Sequence, residues 1–545
     1  MPENATRSDV LVVGAGFAGL YAIYKLRKDG HNVLALEAGD GVGGVWYWNC
    51  YPGARCDIES LQYSYTFDPE LVKEWDWTER YAQQPEILSY ARHVARRHDL
   101  ERHIRFNTRV SSARFDAGAN EWHVVTVQDE LFACRYLVMA TGCLSEGQVP
   151  DLPGLHDFKG PIYHTGAWPR GKVDLNGKRV AIIGTGSSGI QTISTVAKED
   201  VQLTVFQRTP NFSVPMRNRP MTQDVLSDWR AKHQAHVRDL YASKSGQLFD
   251  INAVPAAEMT AEQRKAALEE RWAFGGPSFT RTFTDLLTDE TANSYAADFA
   301  RDKIREIVKD PQTAADLCPT DHPLGTKRIC VDLEYFQTYN RPNVKLVNLR
   351  REPLERIAEN AVVTTAGSYP ADVLILATGY DAVTGALLKI DIRGLGGDSL
   401  HDAWQEGPRT YLGLMSAGFP NLFMITGPGS PSIAVNVILA IEQHVDWVAR
   451  CLRDLKACGA TRIEAEKTAQ DKWVEAVREE ADKTLFPKAN SFYVGANIPG
   501  KPRVFLLYLG GLAAYGEICT RVRDNGYRGF VIENVAARKE AAAAS

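Results

Sequence analysis

DVLVVGAGFAGLYAIYKLRKDGHNVLALE, residues 9 to 37, decides the fold. An apolar run ends in a glycine turn, a segment of helical apolar spacing follows, and a second apolar run ends on Glu37. That alternation of periods is a complete βαβ unit. In GAGFAG, Gly14 permits the tight turn, Gly16 lets the backbone approach a pyrophosphate, and Gly19 allows close helix–strand packing, with the helix N-terminus facing the anion. Glu37 stands where a carboxylate accepts hydrogen bonds from ribose hydroxyls. A glycine turn alone also serves plain packing; strand, helix and acidic residue together predict a dinucleotide site.

The geometry is repeated at residues 178 to 210, KRVAIIGTGSSGIQTISTVAKEDVQLTVFQRTP, with Gly184, Gly186 and Gly189 in the glycine positions. Here Arg208 and Thr209 occupy the place of Glu37. A carboxylate repels a 2'-phosphate and a guanidinium pairs with it, so this second site is expected to prefer NADPH, with Lys327 as a second cation. An exposed arginine ending a strand is the alternative. The two units must lie in different sheets or halves. Each half also carries an ATG segment after an apolar strand, Ala140 to Gly142 and Ala377 to Gly379, where small residues let the chain pass close to a bound cofactor.

Bulk properties agree with a large cofactor-binding globular protein. The 545 residues exceed one ordinary core, and a 44% apolar fraction with 24% charged residues is that of a packed chain of several domains. A net charge of -5 with interspersed signs predicts no nucleic-acid partner. The opening MPENATRSDV lacks a signal-peptide pattern, and no apolar run reaches a membrane span, so no membrane association and a cytoplasmic location are expected. Nine scattered cysteines without CxxC or metal-ligand spacing predict reduced thiols, mostly in cores, and no metal.

Between Pro215 and about Asp321 the strand pattern gives way to helical spacing, for example Ala296, Phe299, Ala300, Ile304, Ile307 and Val308 along one face. Strands return at NVKLVNL and DVLILATGY, and the stretch from GFPNLFMITGPG to GFVIE is expected to complete the first domain by chain return. The predicted class is α/β, with two Rossmann-like dinucleotide-binding domains and a helical insertion. The expected organisation is a first domain at 1–143, a second at 144–214, the insertion at 215–321, return to the second at 322–379 and to the first at 380–535. A disordered tail follows at 536–545.

Two dinucleotide sites in one chain suggest hydride transfer from a nicotinamide to a flavin, FAD at the first loop and NADP at the second. A redox cysteine pair is the first candidate for what the reduced flavin does next. In GGVWYWNCYPGARCD, residues 43 to 57, Cys50 and Cys56 are separated by five residues where a disulfide reductase has four between its pair, and Trp46 stands where the first thiol would be. That reading is disfavoured.

The same stretch, with Gly44, Trp46, Tyr51, Pro52, Gly53 and Asp57, joins two further patterns: FKGPIYHTGAWP at 158–169, with Phe158, Gly160, His164, Trp168 and Pro169, and ATGYDA at 377–382. Three long patterns in order, between and after two glycine loops, resemble the type I Baeyer-Villiger monooxygenases, flavin enzymes that insert an oxygen atom beside a ketone carbonyl. The resemblance runs nearly end to end. It implies that His164 and Trp168 belong to a linker coupling domain rotation to cofactor binding; alone, a single histidine reads as a satisfied core residue.

The resemblance implies NADPH reduction of FAD, addition of O2 at the flavin C4a carbon, and attack of the peroxide on a ketone to give an ester or lactone, with sulfoxidation alongside. Oxidation at nitrogen or sulfur alone is the alternative. Arg328 in PLGTKRIC falls at the family's catalytic arginine and Asp57 at its partner; alone, Arg328 reads as an ordinary surface residue. Carried over residue by residue, Gly14, Gly16, Gly19, Glu37, Val45, Trp46, Asp57, Tyr63, Val110 and Val437 are expected at FAD. Thr185, Gly186, Ser187, Ser188, Gly189, Gln191, Arg208, Thr209, Lys327, Arg328 and Phe492 are expected at NADP. The chain departs from the pattern at Phe492, where a Trp is usual in a mobile C-terminal loop, and at Cys50, where an Arg is commoner. Ile58, Leu144, Ile433 and Val437 suggest an apolar pocket for a small hydrophobic ketone, though such residues serve equally as core. Nothing in the sequence bears on oligomeric state.

Overall fold

The Thr6–Val13 strand stands inside the larger of two parallel-rich sheets in the computed structural model, which describes residues 5–249 and 254–535. It pairs in parallel with Val33–Leu36 on one side and Leu131–Met139 on the other, with Val12 opposite Ala35 and Val138. Val10, Leu11 and Val12 are fully buried. A strand covered on both faces needs the continuous apolar run that opens the sequence rather than an alternating one. The helix Phe17–Lys28 returns over one face, where Leu20, Ile23 and Leu26 join Val10 and Val12 in a single core.

Among the described residues the second sheet has five strands, all parallel, in the spatial order Val344–Asn348, Val201–Gln207, Lys178–Ile183, Val373–Leu376 and Ile162–His164. The two glycine units therefore lie in two sheets, as expected. The 158–169 segment is not merely a connector: Ile162–His164 is the edge strand of this sheet, with His164 opposite Leu376.

Two features differ from the sequence expectation or refine it. The Leu422–Met424 strand does return to the larger sheet, parallel to Leu131–Met139. The terminal Phe530–Glu533 strand instead pairs antiparallel with Arg462–Ala465 in a separate ribbon, because Ile463, Ala465 and Phe530 are needed against the helical side of the first core. The segment after Pro215 is helical at Gln223–Ala242, Ala261–Phe274, Glu290–Ile307 and Pro311–Leu317. Its own core is built on Phe279, Phe283, Leu286 and Ala296.

Parallel pairing of Ser213–Pro215 with Cys330–Asp332 brings the chain back beside its point of departure. Lys327 and Arg328 consequently sit at the re-entry, next to the second sheet. The tail 536–545 lies outside the described residues. Among those described, no helix is long and apolar enough to cross a membrane.

Candidate active site between the two sheets

The two glycine loops are built alike. Gly14 has φ +104° and Gly184 φ +110°, conformations that side-chain-bearing residues rarely adopt. A Cβ on Gly14 would lie 2.6 Å from the Ala140 carbonyl oxygen, and one on Gly184 2.3 Å from that of Ala377. This explains why an ATG segment follows each unit: its alanine packs directly on the first glycine of the loop. A Cβ on Gly186 would meet nothing within 4 Å. That open face, at the N-terminus of the helix Ser187–Val196, fits a pyrophosphate.

Around the first loop, the Glu37 carboxylate is buried and accepts the Ala15 N–H (2.7 Å) and the Gly39 N–H (2.8 Å). It braces the glycine loop against the end of the second strand. Val45 opens the short helix Val45–Trp48, Trp46 donates its indole N–H to the Tyr63 hydroxyl (3.0 Å), and Val110 is buried at the start of Val110–Asp116. Val437 begins the helix Val437–Ala457, whose N-cap Asn436 accepts the Ile438 N–H. The residues expected at FAD come from separate stretches of the chain: Trp46, Tyr63 and Val437 pack on the Val10 and Val12 face of the larger sheet, and Val110 on the Leu11 and Val13 face.

At the second loop, Thr185 donates its hydroxyl to the Thr209 carbonyl (3.1 Å) and Ser188 hydrogen-bonds with Thr165 (3.1 Å). Arg208 is exposed at the end of Val201–Gln207. Lys327 is half-buried; burial pulls its pKa below the ordinary lysine value, and the nearby Arg350 and Arg208 charges pull the same way. Gln191, expected at the same nucleotide, also bonds the 51–55 loop. Its amide accepts the Tyr51 hydroxyl (2.9 Å) and donates to the Arg55 carbonyl (3.1 Å), so it pins the 51–55 loop onto this helix. Gly53 is required there, since a Cβ would lie 2.6 Å from the Gln191 carbonyl.

That docking carries Asp57 to Arg328. The guanidinium donates from Nε to Asp57 Oδ2 (2.5 Å), from Nη2 to Oδ1 (2.8 Å), and from Nη1 to the Ile433 carbonyl (2.5 Å). Burial alone would raise the Asp57 carboxyl, but the Arg328 charge and hydrogen bonds hold it below the usual carboxylate range. Burial likewise works against the Arg328 charge, and Asp57 more than restores it. The outcome is a fixed, permanent cation where the two sheets meet.

The 158–169 segment closes the joint. His164 accepts the Gly166 N–H at Nδ1 (3.0 Å), lies 3.3 Å from the Thr378 hydroxyl through Nε2, and is kept neutral by burial. Trp168 is buried in the core of the second sheet, while its carbonyl receives Cys50 Sγ at 3.5 Å. Arg170 reaches Asp40 of the first unit (2.6 Å). Where Cys50 replaces an arginine, a weak thiol contact joins the motifs.

Leu144, Ile433 and Phe492 pack in one apolar cluster with Tyr493 and Leu506, while Ile58 and Val437 belong to the first core beside it. Phe492 is thus placed among the candidate pocket residues. Sequence reasoning missed the buried Tyr493, near enough to Arg328 to feel its charge, and missed the fastening of its loop: Asn497 donates to the Tyr380 carbonyl (2.6 Å) and Lys501 pairs with Asp381. Adjacency to Phe492 and the ATGYDA pattern were the available signals. All nine cysteines are free, Cys50 and Cys56 included.

Residues 8–238 match a family model described as pyridine nucleotide-disulphide oxidoreductase. The chain is similar to a Baeyer-Villiger monooxygenase of Pseudooceanicola batsensis, 41% identical over 532 residues and 97% of both chains. It is 41% identical to a phenazine N-monooxygenase of Lysobacter antibioticus over 536 residues, 98% of both. Among solved structures, oxidized steroid monooxygenase bound to NADP matches with TM-score 0.93 and 49% identity, over 97% of this chain and 100% of that one. Cyclohexanone monooxygenase from Rhodococcus sp. Phi1 bound to NADP+ matches with TM-score 0.95 and 42% identity, over 97% and 99%.

Proposed function

The chain belongs to the Baeyer-Villiger monooxygenases, and from that premise we propose that it is an FAD-containing, NADPH- and O2-dependent enzyme converting ketones to esters or lactones. The observation that carries the reading is the bidentate Asp57–Arg328 pair, which joins the segment after the first dinucleotide unit to the chain re-entering beside the second. When bound, FAD and NADPH supply the electrons and the oxygen activation that no side chain here can provide.

The chain's own residues do the rest. Gly14, Gly16 and Gly19, with Glu37, Val45, Trp46, Tyr63, Val110 and Val437 around them, hold the flavin nucleotide. Gly186, Ser187, Ser188 and Gly189 receive the second pyrophosphate on a helix N-terminus. Thr185 shapes that loop, Arg208, Thr209 and Lys327 take the 2'-phosphate, and Gln191 positions the 51–55 loop beside the nucleotide. Oxygen insertion beside a carbonyl builds negative charge on oxygen, and Arg328 is preorganised to stabilise it. Asp57 orients the guanidinium and excludes other rotamers.

Leu144, Ile433 and Phe492, with Ile58 and Val437 behind them, form an apolar surface suited to a hydrophobic ketone. Phe158, Gly160, His164, Trp168 and Pro169 couple the two sheets. Domain borders are proposed at 143 and 379, between the parts that feed the two sheets, and at 214 and 321, around the helical insertion; a cytoplasmic location accords with the free thiols. The test is a panel of linear, cyclic, aryl and steroid ketones with NADPH, scored for ester or lactone; consumption of NADPH without such product from any of them would overturn the reading.

A second reading, oxidation at nitrogen, is favoured by one observation, the 41% identity to a phenazine N-monooxygenase. An aromatic N-heterocycle in the same panel, scored for N-oxide, separates the two.

A further inference from the structure

The cations at the end of Val201–Gln207 number three rather than two. Arg350, at the end of the neighbouring Val344–Asn348 strand, directs Nη2 to the Thr209 hydroxyl (3.3 Å) and to Asp321 Oδ2 (2.5 Å). Parallel pairing of the two strands, with Asn348 opposite Gln207, puts Arg350 at the level of Arg208 and Thr209. Its neighbour Arg351 is committed elsewhere, to Asp316 (2.7 Å). Arg208 has no acidic partner among the described residues.

Asp321 supplies what a bare cation cluster would lack. Its Oδ1 is 2.7 Å from Nδ1 of His322, whose side chain is fully buried, so its Oδ2 is fixed in place to hold Arg350. A carboxylate alone at this point would repel a phosphate. Paired with Arg350 it is neutralised, and Arg208, Lys327 and Arg350 set against Asp321 leave a local charge of about +2, matching a phosphate monoester at neutral pH. With Nη2 engaged, the Nε and Nη1 N–H groups of Arg350 carry no hydrogen bond among the described residues. A planar fork with donors free is suited to phosphate oxygens.

We propose that Arg350 is a third, specificity-determining contact to the 2'-phosphate of NADP(H), and that Asp321, anchored by His322, is the residue that positions it. This rests on the assignment of the second loop to NADP made above. It extends that site with an ion pair reaching in from the neighbouring strand, so that discrimination against NADH draws on two strand ends at once.

The experiment is calorimetric titration of the FAD-loaded enzyme with NADP+, NAD+ and 2',5'-ADP, for wild type and for Arg350→Ala, Arg350→Lys, Asp321→Asn and Arg208→Ala. Arg350→Ala is expected to weaken NADP+ and 2',5'-ADP about tenfold while leaving NAD+ unchanged, and the difference should shrink in high salt. Arg350→Lys should recover part of the loss, since charge survives and the fork does not. Asp321→Asn should lower 2',5'-ADP affinity by a smaller factor with NAD+ again unaffected. If Arg208→Ala erodes the preference for NADP+ and Arg350→Ala does not, the proposal fails and the site assignment stands. If neither variant alters the preference, the assignment itself fails. Equal weakening of NADP+ and NAD+ by Arg350→Ala would mark a structural ion pair and likewise overturn the proposal. Retained flavin absorbance shows that each variant is folded.

Discussion

Arg328 and Asp57, 271 residues apart in the chain, meet through two hydrogen bonds of 2.5 and 2.8 Å. The contact exists because the 51–55 loop docks on the helix of the second nucleotide unit through Gln191, while the helical insertion returns the chain just before Cys330–Asp332. Removing the guanidinium leaves both glycine loops untouched. Arg328→Ala is expected to keep FAD and NADPH-driven flavin reduction while lowering product formation by roughly two to three orders of magnitude, the scale for losing a main electrostatic stabiliser. Anaerobic reduction rates and product yield per NADPH check it, and slow reduction would contradict it.

The pair also sets an acid limit. The Asp57 pKa is lower in the folded protein than in the unfolded chain, so its contribution to stability is full above the ordinary carboxylate value. It is lost as pH falls below that value through the depressed one. Asp57→Ala should cost about 2–3 kcal/mol at pH 7, since it leaves a half-buried cation uncompensated. The difference from wild type should hold constant above the ordinary carboxylate value and begin to narrow only below it. Denaturant unfolding of both proteins across pH 3 to 7 measures it.

Glu442 titrates in the opposite sense. Buried in the Val437–Ala457 helix, it accepts the Thr66 (2.7 Å) and Phe67 (3.1 Å) N–H groups and the Tyr241 hydroxyl (2.8 Å), tying the helical insertion to the first core. Burial pushes its pKa up to about 7. The folded state therefore holds a proton that the unfolded chain releases near pH 4.5, and this group's share of stability declines as pH rises to about 7, by roughly 3 kcal/mol in all. Glu442→Gln mimics the protonated form, keeping the two accepted N–H bonds and donating to the hydroxyls. It should flatten that slope and gain on wild type between pH 6 and 8, as seen in unfolding midpoints; an unchanged slope would refute the assignment.

His164 tests the joint. Its ring bonds Gly166, approaches Thr378 of the second ATG segment, and fills the space beside Gly147, where a Cβ would lie 2.8 Å from the imidazole. His164→Ala should lower turnover about tenfold or more with flavin still bound, because the edge strand loses its anchor without touching either glycine loop. Steady-state rates beside the flavin-to-protein ratio give the answer; wild-type kinetics would remove the coupling role.

Arg328 became a candidate only through the family resemblance; by itself the sequence determined both dinucleotide units, their order and the helical segment between them. Each of those rests on local rules: a strand's apolar run, a helix's period, a glycine where φ must be positive. Only the tertiary structure decided that Gln191 serves the 51–55 loop, that the 158–169 segment is an edge strand, that Phe530–Glu533 leaves the larger sheet, and that Tyr493 and Arg350 join the site. These depend on which distant segments share a face, and burial area and charge pairing between residues hundreds of positions apart leave no periodic trace in the chain. Arg350 is the plainest case. In sequence it is one of two adjacent arginines after a strand, and its meaning comes from the parallel register that sets it beside Thr209.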